Sequence, residues 1–156
     1  MAVKLSIDTG VKEYEINGGE ANGGGTLRFN PADPNVYNRF FAAQEELLAV
    51  DREMAARADE LDGKQDGEKA EAYYRLMADY DAKIKARLQE MFGAQNDFDA
   101  LLGGVNIMAV ATNGERVVTN LLAALEPIIT EGARSSVEGK VAAAKANRAH
   151  RRAAQG

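Results

Sequence analysis

Cysteine and tryptophan are absent from this sequence, histidine occurs once and proline three times. Without cysteine there can be no disulfide, thiolate metal site or cysteine nucleophile. The lone His150 has no cysteine and no orienting carboxylate to complete a zinc site or a triad. No window approaches the roughly 18 consecutive apolar residues of a membrane span. The opening residues, Met1-Ala2-Val3-Lys4-Leu5-Ser6-Ile7-Asp8, contain no apolar run of signal-peptide length, so an unsecreted, cytoplasmic protein is expected. Apolar residues still reach 46% of the 156, but many are alanine, which predicts a thin helical core.

Charge of positive sign is scarce except at one end. Residues 1–132 carry 13 Lys and Arg against 23 Asp and Glu, whereas residues 133–156 carry six basic side chains and one acidic. Such asymmetry marks an interaction tail on an oppositely charged body. The acidic body argues against phosphate-backbone binding. The tail, with Lys140, Lys145, Arg148, Arg151 and Arg152, has no aromatic residue for stacking on bases. An acidic protein surface is the better partner for it.

The organising stretch is Asp33 to Phe92. Val36, Tyr37, Phe40, Phe41, Leu47, Leu48, Met54, Ala55, Ala58 and Leu61 step by threes and fours, as do Ala70, Tyr73, Met77, Tyr80, Ile84, Leu88 and Met91. Between them Asp62-Gly63-Lys64-Gln65-Asp66-Gly67 is polar and glycine-broken. So short a break predicts an antiparallel helical hairpin over 33–92. Asp33-Pro34 is a helix start: the aspartate caps free amides, and proline has no amide hydrogen to leave unpaired.

Before the hairpin, Val3, Leu5 and Ile7 alternate with Lys4, Ser6 and Asp8, and Val11, Tyr14 and Ile16 follow the Thr9-Gly10 break. A glycine-rich tract, 17–25, leads to Thr26-Leu27-Arg28-Phe29, which predicts a small β meander of two or three strands over 1–30. That tract lacks Gly-Lys-Ser/Thr and a following helix, so it is a loop and not a phosphate cradle. The 62–67 break likewise lacks the ligands of a calcium loop. After the hairpin, Asn96 or Asp97 should cap a short helix holding Phe98, Leu101 and Leu102. A short buried helix is favoured over a strand for Val105–Val110, and a further helix carries Val117, Val118, Leu121, Leu122, Leu125 and Ile129. Pro127 should kink or end it. Residues 133–156 read as a frayed helix or as disordered, since they lack a burying face. The expected class is mainly α with a small β-hairpin or meander (α+β), one domain over 1–132 and a basic tail. Close carboxylates such as Glu45 with Glu46 and Asp79 with Asp81 are placed as solvated neighbours, and nothing points to catalysis or a cofactor.

The aromatics Tyr37, Phe40, Phe41, Tyr73 and Tyr80 have two readings: packing between the helices, or lining a groove for an apolar client helix. Leu48 and Met77 join the second set, methionine because its unbranched side chain repacks at low cost.

Three stretches carry a family resemblance. Leu27-Arg28-Phe29-Asn30-Pro31-Ala32-Asp33-Pro34 leads into Asn38-Arg39-Phe40-Phe41; Met91-Phe92-Gly93 is followed by Leu101-Leu102-Gly103-Gly104; and a helix over 120–125 leads to a basic, alanine-rich end. In these the chain resembles the tail assembly chaperone-like proteins of long-tailed phages and prophages of Gram-positive bacteria. The resemblance implies a non-enzymatic role: binding the long helical tape measure protein, in multiple copies, and keeping it soluble while the tail tube assembles. It implies the host cytoplasm as the site of action. A structural tail or head–tail connector subunit is the alternative.

Overall fold

The structure is a computed structural model that describes residues 2–61, 63 and 66–155; of the side chains in helices, those of Ala58 and Gln155 lie outside the description. Its elements are β1 (Lys12–Ile16), a 3-10 turn (Glu20–Asn22), β2 (Gly25–Phe29), α1 (Pro34–Leu61), α2 (Asp66–Phe92), α3 (Phe98–Leu101) and α4 (Val117–Gln155). The chain is mainly helical with a small antiparallel β-hairpin, as the sequence pattern predicts. Three residues of the polar break, Asp62, Lys64 and Gln65, fall outside the described residues.

β1 pairs with β2 antiparallel, Lys12 opposite Phe29 and Ile16 opposite Gly25. The hairpin's inner face starts an aromatic series into the helices: Tyr14 stacks on Phe29, Phe29 meets the edge of Phe92, and Phe92 tilts against Phe98, with centroids 5.1, 5.0 and 5.6 Å apart. A two-stranded hairpin is marginal in water, and this packing holds it. At the start of α1, Asp33 Oδ1 accepts the Asn35 amide at 2.9 Å, and Pro34 occupies the first helical position. α1 and α2 run antiparallel, with Glu46 of one bridged to Arg87 of the other. Val36, Phe40, Ala43 and Met54 meet Met77, Tyr80, Ile84, Leu88 and Met91 in the core, and Leu121, Leu125 and Ile129 of α4 close it.

Two buried polar groups fasten the loops to this frame. Asn96 donates to the carbonyls of Arg28 and Phe92, both at 2.8 Å, and accepts the Arg28 amide at 2.9 Å. Lys85 reaches Asp81, Asp99 (2.6 Å) and the Val105 carbonyl (2.9 Å), while Asp81 accepts the Ile107 amide at 2.7 Å. Together these hold residues 105–108 against α2.

One expectation is corrected and three are narrowed. Residues 3–8 form no strand, and Val3, Leu5 and Ile7 are exposed, so of the two or three strands expected the hairpin has two. The stretch 105–110 is not a helix but a turn-rich loop: the Ile107 and Met108 amides go to the side chains of Asp81 and Asn106, and an isolated bridge pairs Val110 with Arg116. Pro127 does not end α4; it sits on the exposed side of the helix. Of the two readings of the tail, the structure has the helical one: it continues α4, exposed from Val137 to Ala154, as alanine's helix propensity allows.

Candidate functional site: an open groove between α1 and α4

α4 lies antiparallel to α1, and two close contacts bracket its first half. Near its start, Arg116 faces Asp51 at 3.8 Å and Met54 Sδ at 3.2 Å. Farther along, Gly132 comes against the backbone of Pro31. Between these contacts the helices part on one side, leaving a hollow of about 410 Å³. Leu47, Leu48 and Val50 form one wall, Val118, Leu122 and Ala123 the other, and Ile84 and Met108 border it too. From Gln44 to Asp51 the groove runs roughly 10 Å, two turns of a guest helix. Its rim is polar: Gln44, Asp51, Arg116, Thr119 and Glu126. Pro127 has no N–H for the carbonyl of Ala123, so a backbone acceptor is released at this wall.

A smaller hollow of about 200 Å³ adjoins it between α1 and α2, sharing Leu47, Val50 and Ile84. Arg87 and Glu46 border it in a two-pronged pair, at 2.7 and 3.1 Å. The hydrogen bond from Arg87 holds the Glu46 carboxyl below its usual range. The same bond, against the opposing effect of burial, raises the guanidinium further. Among the described residues no group of three or more His, Cys, Asp or Glu is placed to hold a metal ion. No helix of the described residues is long and apolar enough to cross a membrane.

The residues singled out from sequence are distributed over several places. Phe40, Met77 and Tyr80 are buried in the core, and Phe41 is half-buried against Phe40 and Tyr37, at 5.3 and 4.7 Å. Leu48 is 59% exposed and lies in the groove. Tyr37 lines another hollow, of about 650 Å³, together with Lys140. Tyr73 lies at the far end of the hairpin: the Glu46–Arg87 pairing sets it opposite Glu60, roughly 35 Å along α1 from Tyr37. Lys145, Arg148, Arg151 and Arg152 are exposed on the α4 extension. Sequence reasoning placed Val118 and Leu122 on the apolar face of a helix, without naming them for a site, and did not consider Val50, Met108 or Ala123 for one. The doublets Val117-Val118 and Leu121-Leu122 were the signal, because they widen the apolar arc beyond what one neighbour can bury.

Comparison with protein-family models, curated proteins and solved structures returned no match.

Proposed function

We propose that this chain is a non-enzymatic assembly chaperone that holds apolar helices of a long client, the tape measure protein of a phage tail, in the groove between α1 and α4. The observation that carries this reading is the groove itself: a two-turn apolar trough with Leu48 and Leu122 on facing walls and a polar rim. Such a trough suits an amphipathic helix anchored at i, i+3 or i+4, and i+7. The carboxylates Asp51 and Glu126 at the rim favour a client segment with basic flanks. Several copies would coat a long helix, and the basic extension of α4 would add contact to acidic stretches. This action takes place in the cytoplasm of the host.

The experiment is co-expression with the longest helical reading frame downstream in the gene cluster. The expected result is a soluble, copurifying pair that is lost with Leu48→Glu or Leu122→Glu while far-UV circular dichroism is unchanged. Solubilisation that survives both substitutions would remove the groove assignment. Presence of the protein as an abundant component of purified particles, with no such pair, would instead support a structural tail subunit.

A further inference from the structure

We infer that two copies of this chain exchange arms: residues 3–8 of one copy lie antiparallel along the free edge of β1 in the other, Lys4 opposite Glu15 and Leu5 opposite Tyr14. The inference is independent of client binding.

The sheet has two strands and therefore two edges, and only one is covered. On the β2 side, Asn96 both donates to and accepts from the backbone of Arg28, so its side-chain amide stands in for a neighbouring strand. The backbone of Arg28 thus points away from β1. In an antiparallel ladder, opposed residues share this sense, so Glu13, opposite Arg28, turns its own N–H and C=O away from β2. Two residues on, Glu15 does the same. No further strand of the described residues borders β1. Its edge offers the N–H and C=O of Glu13 and Glu15, the kind of edge that recruits another strand.

The arm matches that edge in three ways. Val3, Leu5 and Ile7 are 86, 83 and 78% exposed, an unusual state for alternating β-branched and apolar side chains. The two residues Thr9-Gly10 have the length of a tight hairpin loop, which would close on Asp8 and Val11 and set Ser6 against Glu13 and Lys4 against Glu15. In that register the hydrogen-bonded pairs fall on Glu13 and Glu15, the residues that the Asn96 contact turns outward. Side chains follow: Leu5 and Val3 come beside Tyr14 and Ile16 at the mouth of an apolar hollow of about 470 Å³ completed by Leu27, Leu102 and Leu121. Lys4, on the opposite face, meets the carboxylates of Glu15 and Glu13.

The arm does not take this place on its own chain. The carbonyl of Thr9 accepts from Asn30 Nδ2 at 2.9 Å, and Asp8 Oδ1 accepts the Gly10 amide, also at 2.9 Å. Gly10 holds φ at +72° with Asn30 Nδ2 2.7 Å from where a Cβ would stand. The hinge is fastened open, directing residues 3–8 away from the complementary edge. A second copy supplies both an arm for that edge and an edge for that arm, which closes a two-fold dimer by exchange of an identical element.

The natural absence of cysteine makes the test direct. Lys4→Cys and Glu15→Cys are prepared as separate proteins and mixed under mild oxidation, since hydrogen-bonded strand pairs have a Cα separation that a disulfide tolerates. A mixed covalent dimer is expected, together with a light-scattering mass of two chains for the unmodified protein. Glu13→Pro removes the outward amide, together with an exposed ion pair to Arg28, and should return the mass to one chain; Leu5→Asp, in the exposed arm, should do the same without touching the fold. Absence of the mixed dimer, or persistence of the native dimer in both variants, overturns the proposal. So does a double Lys4→Cys/Glu15→Cys protein that cross-links only within one chain, which would mean that the arm closes on its own edge.

Discussion

Gly132 sits inside α4, where a Gly→Ala substitution ordinarily stabilises a helix by about 0.5–1 kcal/mol. Here the sign should reverse. A Cβ at this position would stand 2.1 Å from the Pro31 carbonyl oxygen and 2.5 Å from its carbon. Both are backbone atoms, and their turn cannot retreat freely, because Asn30 Oδ1 accepts the Ala32 amide at 2.8 Å and the Asp33 amide reaches the Asn30 carbonyl at 3.2 Å. The helix must therefore move off α1. Overpacking of this kind costs about 1–3 kcal/mol. Set against the propensity gain, Gly132→Ala should lose roughly 1–2 kcal/mol net. Gly139→Ala, seven residues on in the same helix, is the control, because nothing lies within 4 Å of its Cβ position. It should raise ellipticity at 222 nm and leave the urea midpoint unchanged or higher. Urea melts of the two variants decide the matter. If Gly132→Ala stabilises as much as Gly139→Ala, α4 does not approach the 31–32 turn, and the groove geometry fails with it.

Other perturbations test the remaining joints. Asn96→Ala removes three hydrogen bonds and leaves the Phe92 carbonyl short of a donor, so a loss of about 3 kcal/mol and a urea midpoint lowered by roughly 1–2 M are predicted. Lys85→Met should cost ~2–3 kcal/mol, below the usual figure for a broken buried pair because Asp99 is largely exposed. At Lys85 burial works against the charge, but hydrogen bonds to Asp99 and Asp81 outweigh it and raise the ammonium above its ordinary 10.5. A raised folded value means stability that is complete below the unfolded value and lost as pH rises through the folded one. Alkaline urea melts should therefore show a decline that Lys85→Met reduces. Tyr80 contributes in the same window: burial, with the charge of Glu53 adding to it, holds its phenol above 10.0. Among the described residues its buried hydroxyl makes no hydrogen bond of full geometry, only a weak approach to Glu53, so Tyr80→Phe should be close to neutral, within about 1 kcal/mol at pH 7, and should also flatten the alkaline decline.

The helical hairpin was legible because its information is local: stepped apolar residues, a capping Asp33 before Pro34, and a glycine-broken connection. The Asp97 cap on α3 was legible for the same reason, and its carboxylate accepts the Asp99 amide at 3.0 Å. What escaped depends on partners distant in sequence. Asn96 was read only as a candidate cap, but it serves an amide and a carbonyl 68 positions away in β2. Lys85 had no sequence reading at all, because its partners Asp99 and the Val105 carbonyl lie 14 and 20 positions away. Pro127 was read as a kink or stop. A proline within a helix is tolerated where the released carbonyl and the ring lie at the surface, and Pro127 is exposed. The arm has the alternation of a strand, but whether a strand finds an edge is decided by the hinge, and Asn30 controls the hinge.

The candidate groove follows from the same division between local and distant information. Its walls are apolar because α1 and α4 each carry an arc wider than one neighbour covers; the sequence shows that much in Leu47-Leu48 and Leu121-Leu122. Two close contacts flank the stretch where the arcs stay partly open, while Leu121, Leu125 and Ile129 remain packed in the core on the other side. Arg116 reaches over to Asp51 and Met54 at one end, and Gly132 lets the backbones of α4 and the 31–32 turn meet at the other. Leu48 is left 59% exposed, facing a wall of its own chemistry. An open trough between the helices costs the fold some apolar burial and leaves a surface that an apolar helix could fill, which is what the proposed chaperone role requires.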